Sequence, residues 1–250
     1  MVAIMGTAFW GFTILVPEYC LSVWDDANAL GTPSVGRLVI LISAIPGLFL
    51  FPLILIYMLQ YLGRVLVSSA MGDSVPPRTP DRNFDGFFNG LYPWFIWLGL
   101  GVLVGFSPLL YAAWFADQSL LGNPLLMSGL VIFGLFYAEV ALMMSFLHER
   151  PFAATPWRVA GSLLRHVGSF LPMTFAVTVV LGLAALSFAA ALLLRPGAFW
   201  LYLLAVLGCW IMAIWVAIVA MRIMGVHYFH HADSLGWNRK RPRWGVAWRL

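Results

Sequence analysis

Four residues near the C-terminus carry side chains of the types that bind metal ions. His227, His230 and His231 stand at i, i+3 and i+4, and Asp233 follows two positions later. On an α-helix this spacing places the imidazoles on one side, and imidazole and carboxylate are zinc ligands. Adjacent His230 and His231, however, point about 100° apart on a helix, which strains a single three-ligand site. We therefore predict that the histidines face lipid headgroups, and a metal site is the lesser alternative.

A single carboxyl group interrupts a long apolar segment. Glu139 lies within FGLFYAEVALMMSF, where a charge in hydrocarbon costs about 3 kcal/mol or more. It can serve as a proton or cation relay, or as a polar partner for another subunit. Alternatively, it is a protonated or hydrogen-bonded residue that holds helices together, with Tyr137 or Ser145 nearby. The second interpretation is favoured because a transporter usually has several such groups, and Glu139 stands almost alone.

The composition indicates which solvent surrounds these residues. The chain has 250 residues, of which 62% are hydrophobic and 10% are charged, with a mean hydropathy of +0.90. A soluble domain has about 25% charged residues, so this chain has too few charges to cover a water-exposed surface. Lipid is therefore the predicted solvent. Cys20 and Cys209 both lie in apolar runs and are predicted to be small buried hydrophobes.

Six segments are long enough to cross about 30 Å of hydrocarbon at a rise of about 1.5 Å per residue. They are 3–24, 38–62, 93–115, 123–147, 172–194 and 198–221. The first lacks the basic start and the cleavage site of a signal peptide, so we treat it as a retained helix. The predicted fold is an all-α integral membrane protein, with one transmembrane domain over 1–221 and a basic, Trp-rich tail over 222–250.

The basic residues predict the orientation. Of 14 Lys and Arg, twelve fall in 63–92, 148–171 and 222–250, whereas only Arg37 and Arg195 fall on the opposite side. The positive-inside rule then places both termini in the cytoplasm. This bias also supports an even number of spans, because removing one central span would destroy it.

Two loops on the cytoplasmic side begin alike, with TPDR at Thr79 and TPWR at Thr155. In each, Thr can cap a helix and Pro can occupy its first turn. Apolar residues then recur at helical spacing, which predicts two amphipathic helices in the membrane interface. The two stripes are Phe84, Phe87, Phe88 and Leu91, and Val159, Leu163, Val167 and Phe170. A span, an interfacial helix and a second span thus occur twice, over 38–115 and 123–194, as a possible internal duplication.

The C-terminal tail mixes basic and tryptophan side chains. Such a mixture can bind RNA, but directly after a span it is also what anionic headgroups and the aromatic belt favour. We therefore predict contact with membrane lipids and not with nucleic acid. The predicted interface residues are Arg222, Trp237, Arg239, Lys240, Arg241, Arg243 and Trp244.

The segment YLGRVLVSSAMGDSVPPRTPDRNFDGFFNGL resembles the first long loop of a broad family of uncharacterised prokaryotic multi-pass membrane proteins. The matching residues are Tyr61, Arg64, Val65, Gly72, Pro76, Pro77, Asp81, Gly86, Phe87, Gly90 and Leu91. The chain departs at Gln60, where a glycine usually precedes the tyrosine, and at Arg78-Thr79-Pro80, where an aromatic-acidic turn is common. Over about 38–194, the resemblance implies a helical module of the prokaryotic cytoplasmic (inner) membrane. It implies no particular activity.

The sequence contains no phosphate loop, dinucleotide fingerprint, nucleophile elbow or HExxH motif. We therefore expect a non-catalytic multi-pass protein without a cofactor, acting as a structural or accessory subunit that packs against other membrane-protein subunits or lipids. The first alternative is a small transporter or channel-like carrier that uses Glu139. The second is a metal- or lipid-handling membrane enzyme.

Overall fold

The computed structural model describes residues 55–73, 75, 77, 91–115, 123–147, 154–193 and 199–235. In this part of the chain every regular element is a helix, so the predicted all-α class is confirmed. The predicted span 3–24, most of the segment 38–62 and nearly all of the first predicted interfacial helix lie outside the described residues. The helices are α1 (Leu55–Ala70), α2 (Leu91–Trp114), α3 (Pro124–Leu147), α4 (Pro156–Leu193) and α5 (Phe199–Leu235).

Four of these helices are long and apolar enough to cross a membrane. The qualifying stretches are the whole of α2 and α3, Pro156–Ala190 of α4 and Leu207–Leu235 of α5, whereas α1 is shorter. The finding supports an all-helical membrane protein.

Three helices extend beyond the limits that hydropathy predicts. α1 continues to Ala70 rather than ending at Leu62, so Arg64 lies within the helix and is only 8% exposed. α5 continues to Leu235 rather than ending at Met221, and includes Arg222 and the three histidines. α4 joins the second predicted interfacial helix to the following span. Hydropathy falls where the sequence becomes polar. A helix, in contrast, continues as long as its backbone hydrogen bonds and its packing allow.

α1 ends in a turn that requires glycine. Gly72 has φ of 78°, in the left-handed region that side chains disfavour. The Asp73 N–H donates to the Ser68 carbonyl at 3.0 Å, and the Gly72 N–H donates to the Ser69 carbonyl at 3.1 Å. This pair of bonds is the Schellman arrangement. It gives a physical reason for a glycine at this position.

Replacing Gly72 with alanine is expected to lower the free energy of unfolding by about 1–3 kcal/mol, because a side chain is strained at positive φ. The new Cβ would also lie 2.7 Å from Cε2 of Phe229. Denaturant titration in detergent micelles measures the loss. Gly161→Ala on α4 is the control, since a Cβ there meets nothing within 4 Å. Equal stability of the two variants would show that the turn tolerates a side chain.

The chain divides into two compact units. The larger comprises Leu59–Val179 and Ile218–Leu250, and the smaller comprises Met1–Met58 and Val180–Ala217. In the described part of the smaller unit, the buried Cys209 thiol donates to the Ser187 carbonyl at 3.2 Å. Cys209 therefore packs as the small buried residue that the sequence predicts.

α3 is the central helix of the larger unit. Its residues from Tyr137 to Leu147 are buried without interruption, which requires neighbours on every side. A Cβ built on Gly63 of α1 would meet the ring of Phe146, and one built on Gly101 of α2 would lie 3.0 Å from the Ala141 Cβ. Small residues at these crossings let the helix backbones approach closely.

The inner end of α5 crosses α1 at still closer range. A Cβ built on Gly225 would lie 2.6 Å from the Leu66 carbonyl oxygen, 2.6 Å from the Ser69 Cβ and 3.0 Å from the Ala70 nitrogen. Two of these three atoms belong to the α1 backbone. The crossing therefore depends on the absence of a side chain at Gly225.

α4 bends ten residues after its start. His166 has non-helical angles, φ −126° and ψ 24°, and the hydroxyl of Ser169 donates to its carbonyl at 2.9 Å. The helix begins at Pro156, as predicted. The stripe predicted for the membrane surface is instead largely buried in the protein: Val159, Leu163 and Phe170 are each at most 6% exposed. Packing against neighbouring helices, which the sequence pattern does not show, satisfies this apolar face.

Candidate functional site

Glu139 lies in the fully surrounded half of α3, where it is 7% exposed. It stands eight residues before the end of the helix, or about 12 Å along the axis. Among the residues that the structure describes, neither carboxyl oxygen has a hydrogen-bond partner. A buried polar group without a partner is costly and needs an explanation in terms of function, water or a ligand.

The polar side chain beside Glu139 comes from α4. Thr174 lies against the carboxyl and is itself 7% exposed. The two groups are neighbours but form no hydrogen bond with each other, and the Thr174 hydroxyl likewise has no partner among the described residues. Three oxygen atoms with unused hydrogen-bonding capacity therefore meet within the helix bundle.

The partners that the sequence suggested for Glu139 are wrong. The Ser145 hydroxyl donates to the Ala141 carbonyl of its own helix at 2.8 Å. The Tyr137 hydroxyl is buried without a described partner, and Cδ1 of its ring lies 2.9 Å from the position that a Cβ on Gly105 of α2 would take. Sequence reasoning missed Thr174 because its contact crosses from α3 to α4. The signal was a hydroxyl residue two positions after Pro172, at the start of an apolar run.

Two tryptophans of α2 donate hydrogen bonds to the backbones of neighbouring helices near Glu139. The Trp97 indole N–H donates to the Ala138 carbonyl at 2.8 Å, directly before Glu139 in the chain. The Trp94 indole N–H donates to the Leu59 carbonyl at 2.9 Å, and its ring meets that of Phe146 edge-on at 5.1 Å. The indole rings of Trp94 and Trp97 are also edge-to-face, 5.5 Å apart. These contacts join α1, α2 and α3 by directional bonds.

Trp97 also begins a π-helical segment, Trp97–Leu103, before α-helical geometry resumes at Val104. π-helical turns are rare and frequently occur at functional sites. This segment packs against α3, and a Cβ on Gly101 within it would meet Ala141. The irregular part of α2 thus lies along the half of α3 that contains Glu139.

The three histidines do not converge. The His227 and His231 rings stack with centroids 4.4 Å apart, and Phe170 of α4 lies 5.4 Å from His227. His230 instead contacts the neighbouring Phe229 ring and is exposed. Within the described parts of the chain, no group of three or more His, Cys, Asp or Glu residues could hold a metal ion.

His227 differs from the headgroup-facing residue that the sequence predicts. Its Nε2 atom is buried, with no hydrogen-bond partner among the described residues. Of the predicted interface residues, Arg222 is exposed on α5. The remainder lie outside the described residues: Trp237, Arg239, Lys240, Arg241, Arg243 and Trp244.

Comparison of the chain with protein-family models, curated proteins and solved structures finds no match. The family resemblance of the segment that begins at Tyr61 therefore stays a prediction.

Proposed function

We propose that the protein is a non-catalytic, multi-pass membrane subunit with a structural or accessory role. The observation that carries this proposal is the surface of α2, because few residues of this helix are buried. Large exposed side chains occur along it: Phe95, Leu98, Leu103, Leu110, Tyr111 and Trp114. Tryptophan and tyrosine are enriched among the residues that dominate protein–protein binding, and on this ground we assign α2 the contact with another membrane-protein subunit.

The topology that we propose has six spans, with both termini in the cytoplasm of a prokaryotic inner membrane. The distribution of Lys and Arg supports this orientation. The four long apolar helices supply the later spans, and the two earlier ones are proposed from the sequence alone. A duplication over 38–115 and 123–194 is part of the same proposal.

Purification from native membranes in mild detergent tests the accessory role. We expect the chain to migrate in a stoichiometric complex, and the double variant Leu98→Ala/Leu103→Ala to weaken that complex without loss of the folded monomer. Leu181→Ala/Leu183→Ala on α4, also exposed, is the matched control. A monodisperse chain without a stoichiometric partner would overturn the proposal.

The second candidate function is a small proton or cation carrier, favoured by the unpartnered Glu139 oxygens beside Thr174. Ionisable residues within transmembrane helices are rare and mark ion pathways and proton relays. The proposed repeats start on the same side of the membrane, whereas inverted repeats are common among carriers. This point makes the carrier the second choice.

Reconstituted vesicles with an imposed proton or sodium gradient test the carrier. We expect Glu139→Gln to abolish flux, because the amide cannot release a proton or neutralise a cation. Ser145→Ala should leave the flux unchanged, since that hydroxyl bonds its own helix. Equal flux through wild type and Glu139→Gln would remove the proposed role of Glu139.

A further inference from the structure

The first ten residues of α4, 156–165, have two apolar faces rather than one. Val159 and Leu163 are buried in the larger unit, whereas Trp157 is 86% exposed and Leu164 is 81% exposed. At about 100° per residue, the exposed pair lies on a different side of the helix from the buried pair. The protein covers one face, and the second needs another apolar environment.

The arginines of this segment lie beside the exposed apolar face. Arg158 and Arg165 are both exposed, and because they are seven residues apart they share one side of the helix, two turns from each other. Each follows a member of the exposed apolar pair in sequence. No Asp or Glu occurs anywhere in α4, so this surface is basic and has no acidic residue of its own helix to neutralise it.

The length and bend of α4 separate this segment from the part that spans. Thirty-eight residues correspond to roughly 57 Å of helix, against about 30 Å of hydrocarbon. The 27 residues after His166 reach about 40 Å and suffice for a span. The non-helical angles at His166 let the preceding segment take a direction of its own.

We propose that residues 156–165 form a binding surface for the anionic phospholipids of one leaflet. Trp157 and Leu164 insert among the upper acyl chains, where tryptophan is favoured. Arg158 and Arg165 each bind a phosphate, for which the planar guanidinium offers paired donors. The occupant is lipid because the surface combines exposed apolar side chains with adjacent arginines that no acidic residue of α4 opposes.

Lipid titration of the full chain tests the charge of this surface. Delipidated protein is titrated with phosphatidylglycerol or phosphatidylcholine and followed by native mass spectrometry. We expect preferential binding of phosphatidylglycerol, weakened about tenfold in Arg158→Gln/Arg165→Gln, because basic residues contribute individually near anionic lipid. Arg222→Gln, an exposed arginine on α5, should change the preference much less. If Arg222→Gln weakened the preference for phosphatidylglycerol as much per arginine as Arg158→Gln/Arg165→Gln does, the effect would be one of net charge, and the proposal would be overturned.

A second measurement locates Trp157. The difference in fluorescence between wild type and Trp157→Phe is the contribution of Trp157. This contribution is expected to be quenched in vesicles of phosphatidylglycerol brominated on the upper acyl chain. Trp210→Phe on α5 controls for losing one of the twelve tryptophans. Unquenched Trp157 fluorescence would show that water or another protein covers the exposed face, and either outcome would overturn the lipid surface.

Discussion

Gly225→Ala is expected to lower the free energy of unfolding by about 2–3 kcal/mol, and Gly225→Leu is expected to prevent assembly of the bundle. The added Cβ would lie 2.6 Å from the Leu66 carbonyl oxygen and 3.0 Å from the Ala70 nitrogen. These are backbone atoms of α1, so no side-chain rotation relieves the contact. α1 must move away from α5, and overpacking of this kind costs about 1–3 kcal/mol or more. Thermal unfolding in detergent, followed by circular dichroism, measures the loss.

The same substitution on the same helix supplies the control. A Cβ on Gly208 of α5 meets nothing within 4 Å. Because alanine is favoured over glycine in a helix by up to about 1 kcal/mol, Gly208→Ala should be neutral or stabilising. If Gly225→Ala unfolded at the same temperature as Gly208→Ala, the close crossing of α1 and α5 would be wrong.

Glu139→Met is expected to raise the free energy of unfolding by about 1–3 kcal/mol, the cost of burying a polar group without a partner. Methionine has a similar length and is flexible, so it fills the space between α3 and α4 without a polar end. Thr174 then faces an apolar side chain in place of the carboxyl that now lies beside it. Denaturant titration measures the gain.

Glu139→Gln separates polarity from shape. The amide keeps the size and the buried polar atoms, so Glu139→Gln should not show the gain that Glu139→Met shows. A variant that is more stable but inactive in the flux assay would identify Glu139 as a residue retained for function at the expense of stability. A loss of stability in Glu139→Met would show instead that a bound water or ligand satisfies the carboxyl in the membrane.

The fold class and the approximate limits of α2 and α3 follow from the sequence, because apolar runs beginning near Tyr92 and Pro124 mark both helices. The segments 93–115 and 123–147 differ from the observed helices by at most two residues at each end. The continuation of α5 to Leu235 was not predicted, because hydropathy does not register a helix that continues into a polar stretch. The π-helical segment of α2 has no recognised sequence signal.

The site was predicted only in part, for a related reason. Glu139 is visible in the sequence because a carboxyl group in an apolar run is rare. Its neighbour Thr174 and the bond from Trp97 to Ala138 depend on which faces of the helices meet. α3 is apolar on all sides, so its periodicity does not indicate a packing face. Likewise, the predicted stripe on α4 was placed on the lipid side, and the exposed Trp157 face was missed.

The contrast between the two halves of α3 has a consequence for how this protein can diverge. Leu125, Ile132 and Phe133 in the first half are exposed, whereas Val140, Ala141 and Met143 in the second are completely buried. At these exposed positions of the first half, selection acts on hydropathy, so that leucine, isoleucine, valine and phenylalanine can replace one another by neutral drift. In the second half it acts on the volume and shape of each side chain, which close packing constrains. Homologues should accordingly differ most in the first half and share the second.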